Sequence, residues 1–301
     1  MITTTSSEQP ESSNLVNTSL PNIFSLSSWR IGTLNTQGLT NNVKRNLWFT
    51  FLTSSNFHIF IHSETNSNPH SSRAWQFPNF KTFWHNNDLQ QSGSGIGISI
   101  KSELAYHIFK RQQLHGRILA LDLTFAHNQI VRIIGVYLPP KGHKLRSICH
   151  QSITQLIREA QQVQANIIIA GDFNSTPNPR IDRHNKAKSQ NKSKSNPECK
   201  TLDFLMSANF QDTFRVFHPS NQHFTWENKN YKSRIDQIWI SDHDNWNISK
   251  ADIIKSTPDI IHTDHHLSTC NLDTWSFTSK QWLPLLKIPN TRFNWTNTTQ
   301  T

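Results

Sequence analysis

The stretch that most constrains this chain runs from Ile167 to Pro177, IIIAGDFNSTP. Three isoleucines and an alanine lead into Gly171, after which an acid and an amide, Asp172 and Asn174, emerge beside Ser175, Thr176 and Pro177. A run of that kind reads as a strand of a packed core that delivers polar side chains to its rim. Taken alone, it reads equally well as a strand closing on an Asx-rich turn.

Other strand-like segments repeat the device. Residues 29–35 (WRIGTLN) form a first strand with Asn35 at its exit and Gly38 available for the turn beyond. Residues 57–62 (FHIFIH) form a second and hand Glu64 to a loop. Residues 117–125 and 130–137 pair as a hairpin across His127, Asn128 and Gln129, leaving Tyr137 at another exit before Pro139 and Pro140. Short strands are expected at 81–85 and 95–101, and later ones at 223–226, 234–241, 251–255 and 267–272. The glycines at 93, 95 and 97 are no dinucleotide fingerprint, since no helix follows and the third glycine is missing.

Helical spacing appears in three places. Asn42 is placed to cap a helix with Val43, Leu47, Trp48, Phe51 and Leu52 on one face. Leu145, Ile148, Ile153, Leu156, Ile157, Ala160 and Val163 trace a second stripe, and Pro197 opens a short third helix through Leu202, Leu205 and Met206. Strands and helices are interspersed and hairpins occur, so the fold class is α+β with two packed sheets and not a doubly wound parallel sheet.

The 301 residues suit one domain with loose ends. Residues 1–27 are rich in Ser, Thr and Asn without period and are expected to be a disordered tail; 28–273 form the domain, and 274–301 a linker or tail. Within the domain, 178–197 is expected to be a basic flexible insert. No apolar run reaches membrane-spanning length and the first residues lack a signal-peptide layout, so the expectation is an intracellular chain, nuclear or cytoplasmic, with no membrane partner. Cys149, Cys199 and Cys270 are too few and too widely spaced for a disulfide framework or a zinc knuckle. A formal charge of +10 favours a polyanionic partner.

Collected, the polar strand-end residues are Asn35, Glu64, Tyr137, Asp172, Asn174, Asp236 and the Asp264-His265 pair. Carboxylates and amides of this kind select a hard divalent ion, and a neighbouring His and Asp suit acid or base work on a phosphate. A zinc site on His262 and His265 lacks a third ligand placed by spacing. Trp75, Trp84 and Trp226 read as core or rim packing in preference to base-stacking platforms.

In order and context, Leu34-Asn35, Ser63-Glu64-Thr65, Val136-Tyr137, Gly171-Asp172-Phe173-Asn174, Thr225-Trp226, Ser233-Arg234-Ile235-Asp236 and Asp264-His265 resemble the endonuclease/exonuclease/phosphatase superfamily over about residues 29–273. The SRIDQIWIS stretch and the TWEN segment look most like the endonuclease domain of LINE-type retrotransposons, itself similar to abasic-site endonucleases. The resemblance implies a four-layer αββα sandwich and Mg²⁺-dependent hydrolysis of DNA phosphodiesters, with Mn²⁺ as a possible substitute. It also implies a reverse transcriptase as partner domain. It implies metal binding by Glu64 with Asn35 and Asp264 beside it, activation of the attacking water by Asp172, and a phosphate held by Asn174 and Tyr137. Asp236 would then orient His265 as charge develops. Two positions depart from the pattern: Ser63 stands where glutamine is usual before the glutamate, and no proline follows the Asp264-His265 pair. A stand-alone abasic-site or general nuclease, and a decayed domain that binds nucleic acid without cutting it, are the competing readings.

Overall fold

Alternation along the isoleucine run sets the architecture. Ile167 and Ile169 pack with a helical layer, whereas Ile168 and Ala170 pack with residues of a second sheet, so both faces of this strand are covered. The structure, a computed structural model, describes residues 28–72, 74–86, 93–185, 199–242 and 246–274. The two tails and most of the expected insert lie outside them.

In chain order, the first half comprises β1 (Ser28–Asn35), α1 (Asn42–Ser54), β2 (Ile59–Ser63), α2 (Pro69–Ser72), β3 (Phe80–His85), β4 (Ile96–Lys101), α3 (Ser102–Ala105), β5 (Ile108–Leu114), β6 (Ile118–Thr124) and β7 (Ile130–Tyr137). The second half comprises α4 (Leu145–Gln162), β8 (Asn166–Asp172), α5 (Pro179–Asp182), β9 (Arg183–Asn185), α6 (Lys200–Ser207), β10 (Phe210–Asp212) and α7 (Thr213–Phe217). The strands β11 (Trp226–Glu227), β12 (Tyr231–Ser233), β13 (Asp236–Ser241), β14 (Asn247–Ile254) and β15 (Leu267–Asp273) complete it.

One six-stranded sheet runs β14-β15-β1-β2-β4-β3 and the other β10-β13-β8-β7-β6-β5; a small third sheet, β11-β12-β9, sits apart. The two large sheets share an aliphatic core that includes Ile31, Ile61, Ile98, Leu121, Ile133, Ile168 and Ile238. Outside the first, α1 covers Phe57 and Phe60 through Trp48 and Leu52; outside the second, α4 and α6 cover Ile134, Ile167 and Ile169. The expected four-layer αββα sandwich is thus the observed one.

Several local expectations are corrected. The cap of α1 is Asn41, whose side chain accepts from the Lys44 N–H, one residue earlier than expected. Val43 and Leu47 are exposed; the i,i+4 pair Trp48 and Leu52 suffices to cover the sheet. Likewise Ile148 and Val163 of the α4 stripe face outward. The edge strand β5, IFKRQQL, lacks the alternation that would have announced it, because none of its residues is fully buried and neither face demands an apolar set. The expected insert does not begin at 178: Asn178 caps α5, β9 pairs with β12, and Asp182 is fully buried. Its carboxylate is held there by arginines from distant parts of the chain.

Candidate active site

Two parallel pairs carry the polar exits to one rim. In β1 and β2 the register sets Asn35 beside Ser63, one residue before Glu64; in β7 and β8 it sets Tyr137 beside Asp172. Antiparallel β13 then places Asp236 directly opposite Asp172. Within β8, Gly171 (φ 143°) stands where glycine alone is accommodated, since a Cβ there would lie 1.9 Å from the Val136 carbonyl oxygen. Glu64 (φ 51°) and Asn174 (φ 47°) both occupy the left-handed region, an uncommon conformation for a glutamate and a form of strain that concentrates at functional sites.

The eight residues singled out in the sequence gather at this rim in two groups, Asn35, Glu64, Tyr137, Asp172 and Asn174 in one and Asp236, Asp264 and His265 in the other. The Asn35 amide donates to Glu64 Oε2 (2.9 Å) and to Asp172 Oδ2 (3.0 Å), and the Tyr137 hydroxyl donates to the same Glu64 oxygen (3.0 Å). Asp172 Oδ1 accepts from the Asn174 backbone N–H (2.7 Å), while the Asn174 side-chain amide donates to the Leu138 carbonyl (2.8 Å). His265 Nδ1 and Asp236 Oδ2 are 2.7 Å apart, and His265 Nε2 lies 3.7 Å from Asp264 Oδ1.

Electrostatics follow from burial and company. Asp172 is buried, and desolvation together with the Asp236 charge pushes its carboxyl up to about 7, against the pull of His265 and its hydrogen bonds. For His265, burial works against the charge, but the Asp236 carboxylate outweighs it and holds the imidazole up at about 9. Burial and the neighbouring Glu64 and Asp172 raise Tyr137 far enough to keep its phenol a donor. Lys44 is pulled down by burial, with Glu64 and Asp264 opposing.

The donor set fits a hard cation. Glu64 and Asp172 are held by neutral donors, and Asp236 Oδ1 and Asp264 Oδ1 are buried oxygens with no hydrogen-bond partner among the described residues. Asp172, Asp236 and His265 also offer ligand atoms within 4.8 Å of one another. An imidazole protonated on both nitrogens is a poor ligand, so with His265 held cationic this trio suits charge stabilisation better than ligation, while Glu64, Asn35 and Asp264 present oxygens of the kind a hard cation prefers.

Sequence reasoning missed the supports. Thr225 Oγ1 accepts from the backbone N–H groups of both Ile235 and Asp236 (2.9 Å each), and its carbonyl accepts from the His266 N–H (2.6 Å), so one buried threonine holds both halves of the Asp236–His265 pair. Trp226 packs at the rim as expected and its indole N–H donates to Asp264 Oδ2 (2.9 Å). Thr263 donates to the Asn35 carbonyl (3.0 Å), tying the Asp264 loop to β1. Only the pairing of TW with SRID in the sequence hinted at these roles.

The chain's residues 31–250 match the endonuclease/exonuclease/phosphatase family, and the chain belongs to it. Its members include nucleases that hydrolyse phosphodiester bonds. Among curated proteins it is 25% identical over 218 residues to the "Transposon TX1 uncharacterized 149 kDa protein" of Xenopus laevis, which covers 71% of this chain but only 16% of that protein. Among solved structures, the catalytic domain of Xenopus laevis APE2 superposes with a TM-score of 0.65 at 18% identity, covering 81% of this chain and 91% of that one. The AP endonuclease LMAP of Leishmania major gives 0.62 at 16% identity, with 82% and 88% covered. A 3′ phosphatase, NExo, from Neisseria, solved with a product DNA hairpin, gives 0.62 at 17% identity, with 80% and 98% covered.

Proposed function

We propose that this chain is a divalent-metal-dependent DNA phosphodiesterase, a nicking endonuclease of LINE-type retrotransposon origin. The observation that carries the reading is the continuous link from Glu64 through Asn35 to Asp172, set across from an Asp236–His265 pair. Glu64, Asn35 and Asp264 would hold Mg²⁺, or Mn²⁺ in its place, and the ion when bound supplies Lewis-acid polarisation of a phosphate oxygen.

The protein's own groups do the rest. Asp172, poised near neutrality, accepts the proton of the attacking water as the new O–P bond forms. Asn174 and Tyr137 orient the phosphate, and cationic His265, held by Asp236, offsets the negative charge that builds on the pentavalent phosphorus. As the P–O3′ bond breaks, the leaving oxygen takes up a proton from solvent and departs as a 3′-hydroxyl. The basic charge of +10 suits a polyanionic substrate. Similarity to 16% of a 149 kDa transposon protein supports a place in a longer transposon protein, in which the resemblance to LINE-type elements would put a reverse transcriptase as neighbouring domain.

The test is supercoiled-plasmid nicking, on intact and abasic DNA side by side, with Mg²⁺ and with chelator. Nicking of intact DNA that chelator abolishes is the expected result. Cutting confined to abasic DNA would instead make the chain a repair-type nuclease, and salt-dependent binding without turnover would make it a decayed binding domain.

A further inference from the structure

Arg234 immediately precedes Ile235-Asp236, yet among the described residues it is the most deeply buried arginine, with 1% of its surface exposed. Its Nε donates to Asp182 Oδ1 (2.7 Å) and its Nη2 to Asp182 Oδ2 (3.3 Å); Nη1 and Nη2 reach Asp212 at 3.1 and 2.6 Å. Arg215 closes the group by donating to Asp182 Oδ1. Two acids and two arginines, from α5, β10, α7 and the approach to β13, thereby balance one another's charge over the Phe214 ring.

The Arg234 backbone is anchored as firmly as its side chain. Its N–H donates to the Asp182 carbonyl (2.9 Å), and its own carbonyl accepts from Gln237 Nε2 (3.2 Å), which also donates to the Ser175 carbonyl (2.8 Å). The next residue, Ile235, accepts from the Phe173 N–H (2.9 Å). These contacts fix the chain two residues before Asp236 against the loop that carries Asp172 and Asn174. Buried ion pairs seldom stabilise more than a well-packed apolar group of the same size would, so net stability is a weak account of this arrangement; a planar fork that accepts only one geometry is a strong account of it.

We propose that Arg234 is a positioning residue: its guanidinium, clamped between Asp182 and Asp212, sets the Asp236 carboxylate at the distance and angle that His265 requires and opposite Asp172. The proposal rests on the role given above to the Asp236–His265 pair. Lysine at this position keeps the charge and loses the fork, and small misplacements near reacting groups cost on the order of 10²-fold in rate.

The test uses the full chain with Arg234→Lys, the milder Asp212→Asn, and Arg132→Lys, at a buried ion pair remote from the site, as the stability control. Proton NMR reads the His265 Nδ1–H resonance, which reports the hydrogen bond to Asp236 whether or not DNA is cut. In Arg234→Lys that resonance is expected to shift or vanish, with kcat down about 10- to 100-fold and DNA Kd unchanged. In a His265→Ala background, Arg234→Lys is expected to change the rate by less than about twofold, because the interaction it serves is already gone. An unmoved resonance in a folded Arg234→Lys, or losses that multiply in the double variant, overturns the proposal. If wild-type protein proves not to nick DNA, the functional reading fails while the resonance still judges the positioning role. Should Arg234→Lys fail to fold, Asp212→Asn carries the same test, and an unmoved resonance there overturns the proposal.

Discussion

At the start of β8, Arg132 lies beside Ile167 and opposite Asp122, donating to both Asp122 oxygens at 2.6 and 2.7 Å and to the Leu156 carbonyl at 2.6 Å. Burial works against that guanidinium, but Asp122 outweighs it and holds the charge. At the far end of the same strand, Asp172 faces Asp236 with Glu64 and Asp264 nearby, and the positive charge close to them comes from His265 and Lys44, with Arg117 over the Tyr137 ring. One strand therefore begins at a matched charge pair and ends in an excess of acid. A closed pair needs nothing further, whereas an acid-rich rim with buried oxygens lacking donors among the described residues is what the proposed cation and phosphate roles require.

The sharpest way to break this contrast is to change the acid-rich end. Asp172→Ala and His265→Ala are each expected to cut nicking by about 10² to 10⁴, the range for losing a positioned base or charge stabiliser. Thermal unfolding should move little or even upward for Asp172→Ala, because that carboxyl is buried beside another. Near-normal turnover by either purified variant would remove the residue from the mechanism.

The opposite expectation holds at the closed end. Arg132→Met leaves Asp122 charged and buried without its partner, a loss of about 3–5 kcal/mol of stability. Activity per folded molecule should be unchanged. Chemical denaturation followed by a nicking assay at a temperature where the variant is folded measures both, and a catalytic defect of the size expected for His265→Ala would erase the distinction between the ends.

These contrasts also show what the sequence could reveal. The polar side chains of the acid-rich end drew notice because they sit at strand ends, Asn35, Tyr137 and Asp172 closing apolar strands and Asp236 opening one, whereas their roles came only from the family resemblance. Arg132 and Asp122 were not legible, since they lie inside strands and their pairing depends on register. The Asp182–Arg234–Asp212 group was hidden for a related reason: its members are separated by 52 and 22 residues, and Asp182 opens a Lys- and Ser-rich segment whose composition reads as solvated loop. Composition reports the average of a segment and says nothing of the one acid that turns inward.

A smaller effect tests the cation-binding side alone. Glu64→Gln removes one charge from the oxygen set while preserving the shape that Asn35 and Tyr137 grip. The Mg²⁺ concentration for half-maximal nicking should rise by about tenfold or more, with DNA affinity little altered. An unchanged half-saturation point in a titration of nicking rate against Mg²⁺ would put the ion elsewhere on the rim.

The smallest expected effect refines the closed end. Glu159 also approaches Arg132, with Oε2 3.6 Å from Nη1, but a third of its side chain is exposed, whereas Asp122 is 5% exposed and makes two short, parallel hydrogen bonds. A solvated partner at that distance adds little, because water screens the attraction and holding a long side chain in place costs entropy. Glu159→Gln should therefore lower stability by no more than about 1 kcal/mol, against several for loss of the buried pair. Equilibrium unfolding of the two variants under the same conditions decides it. If Glu159→Gln were as damaging as Arg132→Met, the guanidinium would depend on its outer partner as much as its inner one, and the start of β8 would no longer count as a pair complete in itself.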